Sequence, residues 1–295
     1  RIIFLVVMMS LLQNHCIRVC VELKTIVLSR QENIGWITLD RPHRHNAWTG
    51  RMHTEYRWAL ERFEQDHDIR AIVITGSGKS FCVGGDAQAL EGHASRGQYD
   101  PGTPDPMAQP GFGLRPEFDA AFAYHFGLTK PVIAAVNGAA AGVGLALALF
   151  ADLRFSVPDA AFSTAHGKLN FPAEYGLSWL LPRMVGMTRA NDLLLSSRRF
   201  GSEEALAWGI FNGLFSRETL ADQVQHYAED LVARNAPQAL RVTKYQIYRD
   251  LHRDVASAVH YSEQQINVMS QTPDFREGVA AFLEKRTPQW QGEIE

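Results

Sequence analysis

The sequence predicts an α/β fold with a parallel sheet at its core and a helical region toward the carboxyl end. Three short apolar segments, at residues 71–75, 131–136 and 152–157, are typical of strands buried on both faces. Helical or polar sequence separates them, and strands that alternate with helices favour a parallel sheet. The last third of the chain has few strand signals, which predicts an appended helical portion.

The first elements are predicted to be a hairpin followed by a helix. Residues 25–28 and 35–39 are β-rich, and the polar stretch between them is typical of a hairpin loop. Thr49 is a candidate N-cap of a helix that ends near Gln65, because apolar residues then recur near helical spacing.

The middle of the chain is predicted to contain a long loop and a helix. Residues 92–116 are rich in Gly and Pro and lack periodicity, so we expect a functional or mobile loop there. A helix is expected over residues 117–128. Ser202, followed by two acidic residues, is typical of a further helix start, and Gly209 is a candidate for its end.

Residues 1–22 are predicted to be an N-terminal extension outside the fold. Their apolar run is shorter than the roughly 20 residues of a membrane-spanning helix, and no small-residue cleavage site follows it. The core is then expected over residues 23–200, and a helical C-terminal region over residues 201–295.

Composition excludes several classes of partner and site. The 29 basic and 32 acidic side chains give a net charge of −3, which offers no global attraction to nucleic acid or to an acidic membrane. The three cysteines, Cys16, Cys20 and Cys82, do not have the number or spacing of a disulfide framework or a zinc site. We therefore expect a reducing compartment, the cytoplasm, and no metal.

Two glycine-rich segments resemble nucleotide-binding motifs but lack required residues. The segment 76–80 ends like a P-loop, yet Val73 stands where that motif needs its first glycine. Gly142 and Gly144 begin like a dinucleotide fingerprint, but Leu147 occupies the place of its last small residue. Neither phosphate site is predicted to form.

The same glycines favour a different kind of site. Gly84 and Gly85 follow one predicted strand, and Gly142 and Gly144 follow another. Glycine turns allow the backbone to present unpaired N–H groups, and two such groups that converge form an oxyanion hole. Taken alone, each turn is equally consistent with a purely structural role.

Five ordered segments carry a resemblance to the enoyl-CoA hydratase/isomerase family, also called crotonases. The segments are RPHRHNAW (41–48), SFCVGGDAQAL (80–90), KPVIAAVNGAAAGVGLALALFADLRF (130–155), GLSWLLPRMVG (176–186) and FREGVAAFLEKR (275–286), and the resemblance covers roughly residues 25–290. The resemblance implies a crotonase-like spiral of ββα units with a helical C-terminal oligomerisation region. It also implies an enzyme of acyl-CoA thioesters, assembled as a homotrimer or homohexamer. No separate cofactor is implied, because coenzyme A is part of the substrate.

The resemblance also assigns candidate site residues. The backbone N–H groups of Gly85 and Val143 would hold the thioester oxygen. Arg41 and Lys285 are candidates for phosphate contacts, although each is also consistent with a solvated surface charge. The remaining candidates for coenzyme A contacts are His45, Ala47, Gly84, Asp86, Ala87 and Gly142.

The sequence departs from the family pattern at the acid/base residues. Ala146 stands where typical hydratases have their first glutamate, and His166 stands at the place of the second. A methyl group cannot transfer a proton, which puts the two-carboxylate addition of water in doubt. His166 is consistent either with a base near neutral pH or with a pocket-lining or surface histidine.

Glu174, eight residues beyond His166, is the stronger candidate for the acid/base. A carboxylate in an apolar acyl pocket has a raised pKa, which suits proton transfer. The other interpretation is a surface glutamate at the start of a helix. We expect double-bond isomerisation or hydration through an enolate. Two alternatives stay open: a non-catalytic acyl-CoA-binding homologue, and other enolate chemistry such as C–C hydrolysis, dehalogenation or decarboxylation.

Overall fold

The computed structural model describes residues 22–97 and 115–292. The strands in these ranges are β1 (Ile26–Gln31), β2 (Ile34–Leu39), β3 (Ala71–Gly76), β4 (Ser80–Cys82), β5 (Val132–Val136), β6 (Ala139–Ala141), β7 (Leu153–Ser156), β8 (Ala161–Ser163), β9 (Phe200–Gly201) and β10 (Gly213–Leu214). The helices are α1 (Gly50–Gln65), α2 (Ala87–Arg96), α3 (Tyr124–Gly127), α4 (Val143–Leu149), α5 (Leu177–Ser196), α6 (Ser202–Ala207), α7 (Leu220–Arg234), α8 (Pro237–Asp250), α9 (Val255–Met269) and α10 (Pro273–Glu284).

The strands form two sheets, and the chain alternates between them. The larger sheet has the order β1-β2-β3-β5-β7-β10, and the smaller has the order β4-β6-β8-β9. In three successive turns, one strand enters the larger sheet and the next enters the smaller one: β3 then β4, β5 then β6, and β7 then β8. The strands from β2 to β10 in the larger sheet pair in parallel, whereas β1 is antiparallel. The predicted α/β spiral with C-terminal helices is confirmed.

Local sequence signals account for the first elements. The predicted hairpin is present, with Ile26 opposite Leu39 and Gln31 opposite Ile34. The predicted helix α1 begins after Thr49, whose hydroxyl accepts a hydrogen bond from the Met52 N–H at 3.1 Å. The central strands are buried as predicted, and every residue of β5 is inaccessible to solvent.

The helix predicted over residues 117–128 is wrong. A 3-10 turn at Pro116–Phe118 comes first, and the helix α3 covers only Tyr124–Gly127. Phe122, with φ of 61°, lies in the left-handed region and interrupts the helical hydrogen bonds between them.

The loop predicted from residue 92 begins too early. The helix α2 continues to Arg96, because Asp86 caps its start and Gly97, with φ of 65°, caps its end. The rest of that predicted loop, residues 98–114, lies outside the described residues, as do residues 1–21 with Cys16 and Cys20. Cys82 is a free, buried thiol.

A buried ion pair and a hydrogen bond link the C-terminal helix α8 to the core. Lys244 of α8 forms an ion pair with Asp152 at 2.7 Å, and the Tyr248 hydroxyl donates to the same carboxylate at 2.6 Å. The boundary predicted at residue 200 lies within β9, and β10 beyond it pairs with β7 of the core sheet. In the described ranges no helix is long and apolar enough to cross a membrane.

Candidate active site

Two glycine turns lie side by side at one edge of the smaller sheet. The strands β4 and β6 pair in parallel, so their carboxyl ends meet at the same edge. Gly84 and Gly85 follow β4, and Gly142 follows β6. A Cβ atom on Gly142 would lie 4.0 Å from the Gly84 Cα, so the two turns are in contact.

The contact that positions Gly85 leaves its backbone N–H without a hydrogen-bond acceptor among the described residues. An isolated parallel bridge joins Trp48 to Gly85. In it the Trp48 N–H donates to the Gly84 carbonyl at 2.8 Å, and the Asp86 N–H donates to the Trp48 carbonyl at 2.9 Å. Among the described residues, the Gly85 N–H itself has no acceptor. The flanking bonds therefore hold it in place and leave it available to a ligand.

Val143 supplies the second unbonded amide because it is the first residue of α4. Gly142 caps this helix with φ of 50° and ψ of −121°, a conformation that glycine adopts without steric cost. The first N–H groups of a helix have no partner within it, and the Val143 N–H has no other acceptor in the described part of the chain. Gly144 lets α4 approach β4, since a Cβ there would lie 2.1 Å from the Cys82 carbonyl oxygen.

Glu174 lies beside the second glycine turn. Its Oε2 atom would be 3.8 Å from a Cβ on Gly142. The carboxyl group is half-buried and makes no hydrogen bond or ion pair with any described residue. Loss of solvent around it raises its pKa above the usual value for glutamate.

A cavity of about 400 Å³ brings these groups together. Gly85, Val143 and Glu174 all line it, and Trp48 and Leu90 contribute apolar wall. Two unbonded amides and one carboxyl group without a described partner therefore lie around the same space, which is the size of a small-ligand site. Such an arrangement suits a ligand that develops negative charge on one oxygen while a proton moves nearby.

A comparison with protein families shows which family the chain belongs to. The model of the family described as enoyl-CoA hydratase/isomerase matches residues 29–293. The chain belongs to the enoyl-CoA hydratase/isomerase family. Its relatives in that family are named enzymes, and this crotonase homologue is likewise an enzyme.

Two curated relatives span nearly the whole crotonase homologue. The 1,2-epoxyphenylacetyl-CoA isomerase of Escherichia coli K12 is 33% identical over 262 residues, covering 89% of this chain and 96% of the relative. The carnitinyl-CoA dehydratase of Shigella flexneri is 36% identical over 281 residues, covering 91% and 99%. The crystal structure of the enoyl-CoA hydratase of Mycobacterium tuberculosis H37Rv is similar with a TM-score of 0.78 at 27% identity, covering 91% and 99%.

Three of the predicted coenzyme A residues line the cavity of this family member: Gly84, Asp86 and Gly142. Asp86 is also a structural residue, because its carboxylate accepts from the Gln88 N–H and pairs with Arg41 at 2.9 Å. Burial raises the pKa of Asp86, but the hydrogen bonds from Arg41 and from the backbone outweigh it and leave the pKa below its usual value.

The other predicted coenzyme A residues lie outside the cavity wall. Arg41 is largely buried and donates to the Ala47 carbonyl at 2.6 Å, which ties the segment before α1 together. His45 has φ of 51° and accepts a backbone hydrogen bond from Val83, so it lies near the first glycine turn. Ala87 is the exposed first residue of α2.

Lys285 lies apart from these groups in this family member. It is the exposed C-cap residue of α10, with φ of 56°. It does not line the cavity that contains Glu174.

The structure separates His166 from Glu174. His166 is buried at the start of the 3-10 turn His166–Leu169, and its Nδ1 atom has no partner among the described residues. Its neighbour Ala165 lines the cavity, but His166 does not. Ala146, at the position of the missing glutamate, is fully buried within α4.

Several cavity residues escaped the sequence interpretation, among them Trp48 and Tyr175. Trp48 directly follows the predicted Ala47, and Tyr175 directly follows the predicted Glu174. This adjacency is the one sequence signal that indicated them. Within the described ranges, no group of three His, Cys, Asp or Glu side chains is arranged to hold a metal ion.

Proposed function

We propose that this enzyme shifts the double bond of an enoyl-CoA thioester, with Glu174 as the acid/base. The observation that carries the proposal is that the cavity wall brings together two unbonded amides, at Gly85 and Val143, and the carboxyl group of Glu174, which has no partner among the described residues. The other carboxyl group in the wall, that of Asp86, is paired with Arg41. A single carboxylate suits isomerisation because one group can take a proton from one carbon and return it to another.

The two amides would act on the thioester oxygen. Removal of the α-proton moves an electron pair onto that oxygen, and the Gly85 and Val143 N–H groups would donate to the enolate that forms. Loss of one such donor typically raises the barrier by about 3 kcal/mol. Both donors belong to the backbone, so they are positioned before the substrate arrives.

Glu174 would then transfer the proton along the acyl chain. Its ionised form takes the proton from C2 of a 3-enoyl thioester, and the protonated form returns it to C4. The C3=C4 electron pair shifts to C2=C3, so atoms and charge balance. The raised pKa of the half-buried carboxyl group makes it a better base than a solvated glutamate.

The direct test is Glu174→Gln, which keeps the shape of the side chain and removes its basicity. We expect the conversion of 3-enoyl-CoA to the conjugated 2-enoyl-CoA to fall by about 100-fold or more, the range of general acid–base catalysis. Absorbance of the conjugated thioester measures the rate. Glu203→Gln, at an exposed position on α6, is the matched control and should leave the rate unchanged. An unaltered rate in Glu174→Gln would exclude Glu174 as the base.

Hydration or dehydration is the second candidate, favoured by the 36% identity to a carnitinyl-CoA dehydratase. In this case Glu174 would take a proton from the attacking water during hydration, or give a proton to the departing hydroxyl group during dehydration. Mass spectrometry of the product separates the candidates, because isomerisation leaves the mass unchanged and hydration adds one water.

The same product analysis tests the remaining alternatives. A homologue that only binds acyl-CoA would retain affinity without turnover, and C–C hydrolysis, dehalogenation or decarboxylation would release a fragment. A position of His166 beside Glu174 would favour these fragment-releasing reactions. They are disfavoured because His166 lies outside the cavity wall.

We further propose that the enzyme assembles as a homotrimer or homohexamer. Exposed apolar side chains on α9 and α10 support this, with Val255 79% and Phe282 82% accessible. Such residues are typical of subunit contacts when they cluster on helix faces. The cytoplasmic location and the absence of a separate cofactor stay predictions.

A further inference from the structure

A second cavity lies on the far side of the segment that holds Glu174. It measures about 380 Å³ and is lined mainly by aromatic side chains, with small residues, Glu117 and His252 between them. Its aromatic lining residues are Phe118, Phe126, Phe150, Tyr175 and Trp179.

Tyr175 is the residue common to the walls of both cavities. Its neighbour Glu174 lines the first cavity, and its other neighbour Gly176 lines the second. Three consecutive residues thus pass from one space to the other, and Tyr175 stands at the partition between them.

The partition is built from backbone that is held in an uncommon conformation. Tyr175 has φ of 50°, and Phe122, which packs edge-on against its ring at 5.1 Å, has φ of 61°. Left-handed backbone at bulky residues costs free energy and persists where the surrounding structure requires it. The contact between two such residues at a wall between cavities indicates that the surrounding structure fixes the position of the Tyr175 ring.

We propose that Tyr175 sets the length of the acyl group that this enzyme accepts, by closing the aromatic cavity to the end of the acyl chain. This inference rests on the proposed function, because it takes the substrate to be an acyl-CoA whose reacting carbons lie beside Glu174. A short acyl group fits within the first cavity. A longer chain meets the Tyr175 ring and cannot reach the aromatic space behind it.

Removal of the ring should join the two cavities. Tyr175→Gly deletes the side chain and suits the left-handed backbone, so the fold should be retained. Each methylene that gains an apolar environment raises affinity by about fourfold. We expect decanoyl-CoA to bind at least about tenfold more tightly to Tyr175→Gly than to the wild type, whereas butanoyl-CoA should change by less than about threefold.

The experiment is calorimetric titration with saturated acyl-CoAs from butanoyl to decanoyl, which bind without reacting. Tyr175→Phe keeps the ring and should retain the wild-type dependence on chain length. The double variant Tyr175→Gly/Ala121→Phe refills the second cavity. It should therefore lose the increased affinity for decanoyl-CoA. If Tyr175→Gly does not fold, as judged by thermal unfolding, Tyr175→Ala takes its place.

An identical dependence on chain length in the wild type and the opened variant would overturn the inference. So would a wild-type affinity that keeps rising through decanoyl-CoA. Failure of the proposed function has a different signature, namely acyl-CoA binding without isomerisation or hydration of any enoyl-CoA. The two outcomes are therefore distinguishable.

Discussion

Glu174 combines a proposed catalytic role with a cost to stability. Its carboxyl group is half-buried beside the Gly142 turn and has no partner among the described residues. Burial without a partner disfavours the charged form, which is why the pKa rises. The residue that we propose as the acid/base should therefore weaken the folded state whenever it is ionised.

Glu174→Gln is expected to stabilise the protein near neutral pH. A raised pKa in the folded state means that stability is fully present below the ordinary glutamate pKa and is lost as the pH rises through the folded value. The glutamine side chain cannot ionise, so Glu174→Gln should have a higher free energy of unfolding than the wild type at pH 7. The increase should stay below about 1 kcal/mol, because solvent still reaches the site. The gain should vanish near pH 4.

Urea denaturation at the two pH values measures both differences. A variant that is destabilised at pH 7 would contradict the expectation and would indicate a contact of the carboxylate that holds the fold.

At the scale of elements, the close approach of α4 to β4 positions the Val143 amide. Gly144 permits this approach, because its missing Cβ would lie 2.1 Å from a backbone oxygen that cannot move aside. Gly144→Ala should lower the free energy of unfolding by about 1–3 kcal/mol, the usual cost of overpacking.

Gly201→Ala is the matched control, since nothing lies within 4 Å of its Cβ position and its φ is −100°. It should change stability by no more than about 0.5 kcal/mol. Equal effects of the two substitutions, measured by chemical denaturation, would show that the contact with β4 is unimportant.

Elements defined by local signals were predictable from the sequence, and elements defined by distant contacts were not. Thr49 caps α1 through a bond three residues away, so its pattern is visible in the chain. The break at Phe122 depends on packing against Trp48 and Tyr175, which are far away in sequence. The two-residue strands β9 and β10 exist only through pairing with β8 and β7, so no periodicity marks them.

The same distinction between local signals and distant contacts applies to the candidate site. The glycine turns at Gly85 and Val143 and the acidic Glu174 were visible as residue types in a recognisable order. Sequence alone did not place His166 outside the cavity or Tyr175 between two cavities, since both facts depend on side-chain direction.

On the scale of the whole molecule, the C-terminal helices are the surfaces through which we propose that copies of the chain associate. Each of α9 and α10 carries apolar side chains in solvent, and α9 has no buried residue. We expect sedimentation to report a trimer or hexamer at micromolar concentration. Phe282→Glu should shift the distribution toward smaller species, because it places a charge on the exposed apolar face.

Val27→Glu, at an exposed position on β1, is the control and should leave the assembly intact. A wild-type protein that sediments as a monomer at all concentrations would contradict this prediction.

The reliance on main-chain nitrogens at the two turns has an evolutionary consequence. A nitrogen of the polypeptide itself survives every replacement of its own side chain except proline, which lacks the hydrogen. In the proposed mechanism, mutation can therefore alter the acid/base side chains, as at Ala146 and Glu174, while the two amides that would hold the substrate oxygen are retained. New reactions can arise in this fold through substitution of a few side chains, while the two backbone N–H groups that would stabilise negative charge stay in place.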